Sequence, residues 1–443
     1  MLFSNKDLKK LIIPLVIEQI LVITVGMADT VMVAGIGETA VSGVSLVDTI
    51  NVLIINILSA LATGGAVTAG HFLGQKDPEN AGRSAWQLIL FSGLLAIGIT
   101  ILFIGVHDLI LKKVFGSITP EVMQNAKTYL LITALSFFPL AVYNAGGALF
   151  RAMGNSKVTM WVSTIMNVVN ITGNAIMIYG MKMGVAGAAI PTTVSRIVAA
   201  VIIFVMLFDR KKEIHLNGHV TWKLQKNMIR KILYVGIPNG LENSLFQLGK
   251  ILLLSLISTI GTAAIAANAV ANTITLFNIL PGIAIGYAQL STVAICVGAG
   301  DAGQARYYTI KLMKITYAGM AVLSVLIFFS VGFLLRIYGL SHETEQLAIE
   351  VIRYHAVMVL VSWVPSFSTP NSFRAAGDVM LPMVIAIISM WVFRIAAAYI
   401  LTGYCGLGLM GVWIAMTIDW TFRAVCYTIR YKKGSWLHKM ETV

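Results

Sequence analysis

Two carboxylates lie in the first long apolar segment of the chain, residues 11–33. Glu18 and Asp29 are 11 residues apart, close to three helical turns, so both project from one face of a helix, about 16 Å apart along its axis. An ionised side chain at mid-membrane costs at least about 3 kcal/mol, so this face must contact protein or water rather than lipid. Pro14, one turn before Glu18, removes a backbone hydrogen bond and predicts a bend there.

A stripe of amides and hydroxyls forms a second set of candidate ligands. Four polar side chains at spacings of 4, 3 and 4 residues share one helix face, namely Ser163, Asn167, Asn170 and Asn174. The next apolar segment carries Thr192 near its start. These groups would complete an oxygen shell around Na+ or donate hydrogen bonds to an ionised Asp29. The alternative for the asparagines is interhelical hydrogen bonding without a transport role.

Ionisable residues also occur in apolar segments of the second half of the chain, at Glu242, Lys250, Arg394 and Asp419. Glu242 and Lys250 are eight residues apart, about 80° around a helix, so a direct pair between them is not expected. Ion pairs across helices, such as Arg394 or Lys250 with Asp419, are one interpretation of these charges. For Glu242, a functional role and a structural role both remain open.

The elements that must position these residues are membrane-spanning helices. Of the 443 residues, 58% are apolar and 12% are charged, whereas a soluble domain has about 45–50% and about 25%. The mean hydropathy is +0.84, and the apolar residues occur in blocks of 20 or more, as lipid-facing helices require. This composition excludes a soluble globular protein and predicts an all-α membrane protein.

Twelve spans are predicted, and the basic residues orient them. The spans lie at 11–33, 44–70, 86–106, 122–149, 158–180, 184–208, 231–257, 266–296, 312–335, 347–372, 380–402 and 407–429. With a cytoplasmic N-terminus, the inside segments hold 23 of the 32 Lys and Arg residues and the outside segments hold six. This bias predicts that both termini are cytoplasmic and that the protein lies in the cell membrane. The net charge of +13 therefore does not indicate a nucleic-acid partner.

The chain contains an internal repeat. A shift of 224 in residue number, without a gap, places Pro14 on Pro238 and Glu18 on Glu242. The register holds through the first two predicted spans. The motif FRAMGN from Phe150 also matches a later FRAAGD at a shift of 223. The sequence is therefore a six-helix unit written twice.

This repeat predicts the domain organisation. We expect an N-terminal six-helix bundle at 1–208, a cytoplasmic linker at 209–230 and a C-terminal six-helix bundle at 231–443. Because each bundle has an even number of spans, both enter the membrane in the same direction and are pseudo-symmetric about its normal. Parallel repeats of this kind are a transporter architecture.

Several classes of function lack their residues in this sequence. Neither a Walker A pattern nor an HExxH pattern occurs, which argues against ATP hydrolysis and metalloprotease chemistry. The three cysteines lie far apart in apolar stretches and favour neither a disulfide framework nor a zinc cluster. The carboxylates are scattered over several spans, so we expect neither an embedded enzyme nor a cofactor.

Taken together, several motifs resemble the multidrug and toxic compound extrusion (MATE) family. They are PLVIEQ and ADTVMVAGIG in the first span, FRAMGNSKVTM before the fifth, NVVNITGN and GVAGAAIPTT in the fifth and sixth, and GIPNGLENSLFQLGK in the seventh. The likeness covers nearly the whole chain. It implies a V-shaped pair of six-helix bundles that exports drugs or metabolites in exchange for H+ or Na+.

The resemblance also implies roles for individual residues. In the branch to which the chain is most similar, an aspartate of the first helix binds the coupling ion, and Asp29 occupies its place. The implied partners are Asn170, Asn174 and Thr192, and Pro14 matches the proline that bends the first helix. Asn174 departs from the family pattern, which usually has an aspartate there. This change halves the local negative charge, weakens the case for Na+ and leaves the identity of the ion open.

The predicted function is secondary active antiport by alternating access, with Asp29 as the coupling-ion site. The expected partners are a small-molecule substrate, often cationic, and the lipid bilayer, with the protein as a monomer. Another branch relies on a glutamate of the seventh helix, to which Glu242 is similar but displaced by about one turn. The principal rival is a flippase of a lipid-linked or anionic precursor, in which Lys250, Arg394 and Arg196 bind pyrophosphate. Such a cavity should be strongly cationic, whereas the acids and bases within the spans nearly balance.

Overall fold

A computed structural model describes residues 2–115, 119–336 and 338–437 of the chain. Within these residues, eleven helices are long and apolar enough to cross a membrane, and one bent pair makes a twelfth span. They are α1 (Asn5–Ala34), α2 (Glu38–Gly74), α3 (Pro78–Phe115), α4 (Pro120–Ala134 with Phe137–Ala152), α5 (Ser156–Gly180), α6 (Ala186–Met206), α7 (Lys226–Ile260), α8 (Thr262–Gly298), α9 (Ala302–Arg336), α10 (His342–Ala375), α11 (Met380–Gly403) and α12 (Gly408–Lys433). The predicted all-α membrane architecture is confirmed.

Most of the helices are longer than the spans that hydropathy predicted. The starts of α3 and α9 lie well before the predicted ones, at Pro78 rather than at 86 and at Ala302 rather than at 312, and α3 also ends at Phe115 rather than at 106. The added N-terminal residues include Arg83 and Arg306, whose charges lower the hydropathy without interrupting the helix. A hydropathy pattern therefore detects the part of the helix that lies in lipid rather than the whole helix.

Three spans contain a π-helical segment, at Ala175–Gly180 in α5, Val359–Trp363 in α10 and Ser389–Ala396 in α11. A π turn has a wider hydrogen-bond spacing than an α-helix and often occurs at a functional site. The segment in α5 begins directly after Asn174, and the segment in α11 contains Arg394. Both are among the residues that the sequence singled out.

The described chain forms two compact units. The first contains Phe3–Gly240, and the second contains Leu241 onward together with Leu2, so that the division falls inside α7. In the first unit, α1 packs against α5, α5 against α6, and α2 against α3 and α4. In the second unit, α8 packs against α9 and α10, and α12 packs against α10 and α11.

The segment between α6 and α7 packs on α3 of the first unit. Trp86 Nε1 donates a hydrogen bond to Thr221 O at 2.6 Å, and Gln87 Nε2 donates to Lys223 O at 3.0 Å. The side chains of Trp86 and Gln87 are buried. These contacts attach the basic linker to the first unit.

The internal repeat extends to the backbone of two glycines. Gly37 and Gly261 occupy equivalent positions of the repeat, have φ values of 138° and 134°, and directly precede α2 and α8. Only glycine adopts this conformation readily, because a Cβ would clash with the backbone. The two halves thus use the same special residue for the same sharp turn.

The repeat also extends to two helix caps outside the spans. Asp77 Oδ1 accepts a hydrogen bond from Asn80 N at 3.0 Å before α3, and Asp301 Oδ1 accepts one from Gln304 N at 2.8 Å before α9. Each cap satisfies an amide that the first helical turn leaves free. These backbone hydrogen bonds hold the pKa of both carboxyl groups below its usual value, because they favour the charged form.

Gly64 permits a close approach of α2 to the first part of α7. A Cβ at this position would overlap Ile232 O and lie 3.0 Å from Gly236 N. Both atoms belong to the backbone, so neither can rotate away as a flexible side chain would. The packing of these two helices in the first unit therefore depends on the missing side chain.

We expect Gly64→Ala to destabilise the protein by about 1–3 kcal/mol, because the extra methyl group overpacks the helix contact. The matched control is Gly98→Ala in α3, where a Cβ meets nothing within 4 Å. The measurement is the midpoint of thermal unfolding of the purified protein in one detergent. Equal midpoints for the two variants would contradict the close approach of α2 and α7.

Candidate functional site

A chain of hydrogen bonds connects α1, α5 and α6 in the first unit. Asn174 Nδ2 donates to Asp29 Oδ1 at 2.7 Å and lies 3.4 Å from Asn170 Oδ1. Asn170 Nδ2 donates to Thr192 Oγ1 at 3.1 Å, and the Thr192 hydroxyl donates to Ala188 O at 2.9 Å. The structure thus brings together the four residues that the sequence predicted as one set.

Small residues allow α5 and α6 to approach closely enough for this network. A Cβ at Gly173 would lie 2.7 Å from the Pro191 side chain, and a Cβ at Gly187 would lie 3.0 Å from the backbone of Met177. Such contacts between small residues are typical of helix packing in membranes. They place the stripe of asparagines on α5 within reach of α6.

Asn174 carries a buried acceptor that has no partner. Its Oδ1 atom is inaccessible and makes no hydrogen bond within the described part of the chain, although its Nδ2 atom is bonded to Asp29. Leaving a buried acceptor unsatisfied costs about 1–3 kcal/mol. An amide oxygen beside a carboxylate is suited to coordinate Na+ or to accept a hydrogen bond from a protonated Asp29.

Asp48 on α2 is a second carboxylate of this site, and the sequence reasoning missed it. Its side chain is exposed, Asn51 Nδ2 lies 3.4 Å from its Oδ1 atom, and it lies within electrostatic range of Asp29. The buried Tyr129 lies beside it. The signal that could have identified Asp48 is the one that identified Asp29, namely an acid within a predicted span.

Arg196 on α6 is the cation of this site. It interacts electrostatically with Asp29 and Asp48, and its Nη1 atom donates to Ser136 Oγ at 2.6 Å. Within the described residues it makes no direct ion pair with either acid, since no distance between them is 4.0 Å or less. With both acids ionised, the three groups carry a net charge of −1. The site is therefore short of one positive charge.

Pro14 lies inside α1, and its neighbours accept hydrogen bonds from α5. Because proline has no N–H group, the carbonyl of Lys10 lacks its usual helical donor. The Ser156 hydroxyl on α5 lies 2.5 Å from Leu11 O and 3.4 Å from Lys10 O, and it donates its hydrogen bond to these carbonyl oxygens. A bend near Pro14 stays a prediction.

Glu18 and Glu242 are each paired with an arginine at equivalent places in the two units. Arg151 Nη1 lies 3.5 Å from Glu18 Oε1, and Thr159 Oγ1 donates to Glu18 Oε2 at 2.6 Å. Arg374 Nη2 lies 2.7 Å from Glu242 Oε2. Both arginines belong to the repeated FRA motif. Neither glutamate is therefore an isolated carboxylate, and Glu242 does not pair with Lys250.

The remaining ionisable candidates lie together in the second unit. Asp419 accepts hydrogen bonds from Arg423 Nε at 2.8 Å and Nη2 at 3.3 Å, and Arg394 Nη1 lies 3.5 Å from Asp419 Oδ2. The ion pair between Arg394 and Asp419 is one of the two that the sequence offered, the other being Lys250 with Asp419. Lys250 instead lies over the ring of Phe246, 5.1 Å from its centroid. Within the described residues, no group of three or more His, Cys, Asp or Glu side chains could hold a metal ion.

A family model matches the chain twice. The model named MatE matches residues 14–176 and again residues 238–400. The second match is displaced from the first by the shift of the internal repeat. Together they cover most of the chain.

Relatives and solved structures match over nearly their full length. An uncharacterized transporter, YisQ of Bacillus subtilis, is 28% identical and covers 96% of this chain and 94% of its own. A probable multidrug resistance protein, NorM of Thermotoga maritima, is 27% identical, and the match covers 98% of this chain and 93% of the relative. Among solved structures, the chain matches the outward-facing conformation of a multidrug resistance MATE family transporter of the MOP superfamily with a TM-score of 0.92 and 23% identity. This match covers 98% of this chain and 96% of that structure. At this identity, the structural likeness supports the fold.

We expect Glu18→Gln and Glu242→Gln each to destabilise the protein by about 3 kcal/mol, because each removes the charged partner of a largely buried arginine ion pair. Glu213→Gln in the exposed linker is the matched control. The measurement is thermal unfolding in detergent. A Glu242→Gln variant that melts with the parent would contradict the structural role of this pair.

Proposed function

The chain belongs to the MATE family of transporters, and from this premise we propose that it is a secondary active antiporter. It exports small molecules, drugs or metabolites, in exchange for H+ or Na+ that enters at Asp29. The single observation that carries this proposal is the unpartnered Asn174 Oδ1 beside Asp29. The names of the relatives, which include probable multidrug resistance proteins, support the class of substrate.

The charge of the site explains why it takes up one cation. Asp29, Asp48 and Arg196 together carry −1 when both acids are ionised, and a net charge within a membrane span is costly. One H+ or one Na+ brings the sum to zero. Asn174 replaces the aspartate that the family usually has at this position. Asp48 supplies the second carboxylate of the site instead. The exposed side chain of Asp48 must face water rather than lipid, which gives the ion a path to the site.

Uptake of the cation changes hydrogen bonds on three helices at once. A protonated Asp29 donates to Asn174 Oδ1, and a bound Na+ draws both oxygens toward itself. Either event alters the Asn174–Asn170 contact and, through it, the bond from Asn170 to Thr192 on α6. The coupling step is therefore a change in how α1, α5 and α6 pack. We propose that α1 bends near Pro14 as this packing changes and that this bend couples entry of the cation to export of the substrate by alternating access.

A bias of 23 to six in the basic residues supports an orientation with both termini in the cytoplasm. In this orientation the cation enters from outside and moves inward with the membrane potential. One charge moved through 100 mV is worth about 2.3 kcal/mol. A monovalent cationic substrate exchanged for one H+ would cancel this gain, whereas a neutral substrate would keep it.

The position of Arg196 argues against the flippase alternative. A pyrophosphate site requires cations without competing acids, but Arg196 interacts with Asp29 and Asp48 in the first unit. This arginine is therefore part of the acidic site.

We also propose that the protein works as a monomer, since each residue of the site belongs to one unit of one chain.

We expect Asp29→Asn to abolish gradient-driven export, because an amide neither binds a proton nor carries the charge that attracts Na+. Asp48→Asn should reduce export by about tenfold, which corresponds to about 1.4 kcal/mol of weaker cation binding. The measurement is efflux from proteoliposomes under separately imposed pH and Na+ gradients. Ethidium and fluorescein serve as the cationic and anionic probes.

The control for these variants is Asp108→Asn, which removes an exposed acid of the first unit that pairs with Lys127. This variant should export at the rate of the parent. If Asp29→Asn still exports either dye at the parental rate under either gradient, the coupling role of Asp29 is wrong.

A further inference from the structure

Three cations surround one aromatic ring in the second unit. The distances to the centroid of the Phe246 ring are 5.1 Å from Lys250 Nζ, 5.0 Å from Arg394 Cζ and 5.5 Å from Arg423 Cζ. In the described part of the chain, Asp419 is the one carboxylate that forms ion pairs with any of them. Three positive charges within the spans are thus balanced by one negative charge.

Asp419 cannot satisfy all of these cations. Both of its carboxylate oxygens accept hydrogen bonds from Arg423, and Ser389 donates to one of them as well. Arg394 reaches Asp419 only at 3.5 Å. Its Nε and Nη1 atoms are buried and make no hydrogen bond among the described residues, and its side chain is 9% exposed. A buried guanidinium with unused donors requires a further acceptor.

Lys250 is the exposed member of the cluster. Within the described chain its ammonium contacts no carboxylate and makes no hydrogen bond, and it lies close enough to Arg394 for the two charges to repel. An exposed ammonium within a span faces water or a ligand rather than lipid. Asn243 and Gln247 lie on the same face of α7, and neither amide is hydrogen-bonded within the described residues.

The backbone brings Lys250 and Arg394 together. A Cβ at Gly249 would overlap the side chain of Met390, so α7 and α11 approach closely beside Lys250. Arg394 lies in the π-helical segment Ser389–Ala396 of α11. In the register of the repeat, Arg394 stands where the first unit has Asn170. The second unit thus places a cation where the first unit has an amide of the hydrogen-bond network that reaches Asp29.

We propose that Lys250 and Arg394 bind the anionic group, a carboxylate or a phosphate, of the exported substrate. Phe246 and the free amides of Asn243 and Gln247 contact the remainder of the molecule. This assignment rests on the proposed function, because it identifies the bound anion with the exported compound. Export of an anion and entry of a cation both move positive charge inward, so the membrane potential drives both movements.

Three small aromatic compounds of nearly equal shape test the charge preference: benzoate, benzamide and benzamidinium. Binding to the purified full-length protein in detergent is measured by calorimetric titration. We expect the parent to bind benzoate most tightly. Lys250→Gln should lower the benzoate affinity about tenfold, the equivalent of about 1.4 kcal/mol, and Lys250→Arg should restore it, because the positive charge returns.

Two further variants complete the comparison. Lys314→Gln removes an exposed lysine of α9 and should leave benzoate binding unchanged. Arg394→Lys keeps the charge but removes the Nε donor and should weaken benzoate binding in a protein that melts with the parent. Parental benzoate affinity in Lys250→Gln, or a preference of the parent for benzamidinium, would overturn the proposal.

Competition separates the possible sources of the anion. Inorganic phosphate and phosphatidylglycerol added to the micelles should displace benzoate only weakly if the site recognises an organic substrate. Displacement by phosphatidylglycerol at low mole fraction would assign the site to a lipid headgroup, and displacement by phosphate alone at equal concentration would assign it to a free anion. Either result would overturn the assignment to substrate.

The variant Asp29→Asn distinguishes the anion site from the coupling site. It should bind benzoate as the parent does, because Asp29 lies in the other unit. Gradient-driven export that survives in Asp29→Asn would refute the proposed coupling and leave the benzoate result in place. Loss of the benzoate preference with intact dependence on Asp29 would refute the anion site alone.

Discussion

A charge inside a membrane is stable only where other charges or dipoles compensate it. This constraint separates the acids of the protein into two kinds. Glu18, Glu242 and Asp419 each have an arginine at 4.0 Å or less. Asp29 and Asp48 share one more distant guanidinium and depend on amide hydrogen bonds instead. The first kind connects neighbouring helices, and in the proposed mechanism the second kind exchanges its partners for a cation.

The internal repeat keeps the scaffold and changes the chemistry. Both halves have the proline, the glutamate one turn later, the arginine that pairs with it and the glycine before the second helix. At the shift of 224 residues, the second half has Leu253 at the position of Asp29 and Arg394 at the position of Asn170. The charged cluster around Asp29 in the first unit therefore has an excess of acid, and the cluster around Phe246 in the second unit has an excess of base. A substrate anion and a coupling cation could use the same duplicated architecture without competing for one charge.

Local patterns were sufficient to predict the spans, the repeat and the stripe of asparagines on α5. Hydropathy reports which residues lie in lipid, and a spacing of three or four residues reports which side chains share a helix face. The grouping of Asn170, Asn174 and Thr192 with Asp29 came from the family resemblance, and the structure places Asn174 in contact with Asp29. Hydropathy did not predict the helix ends, because charged residues near the start of α9, such as Arg306 and Lys311, lower the local hydropathy without ending the helix.

Contacts between distant helices could not be derived in the same way. Asp48 could have been noted as an acid within a predicted span, but its relation to Asp29 depends on how α2 packs in the first unit. The arginine partner of Glu242 was also not predicted, although Arg374 lies in a motif that the repeat had already identified. Both cases needed the tertiary packing of helices that are far apart in sequence.

Infrared difference spectroscopy of the purified protein in lipid tests the central claim most directly. The band of a protonated carboxyl group is followed while pH is raised or Na+ is added, in the parent and in Asp29→Asn. The account predicts a band that disappears as the cation is exchanged in the parent and that is absent from the variant. An identical titration in both proteins would contradict it, because the exchanging carboxyl group would then not be Asp29.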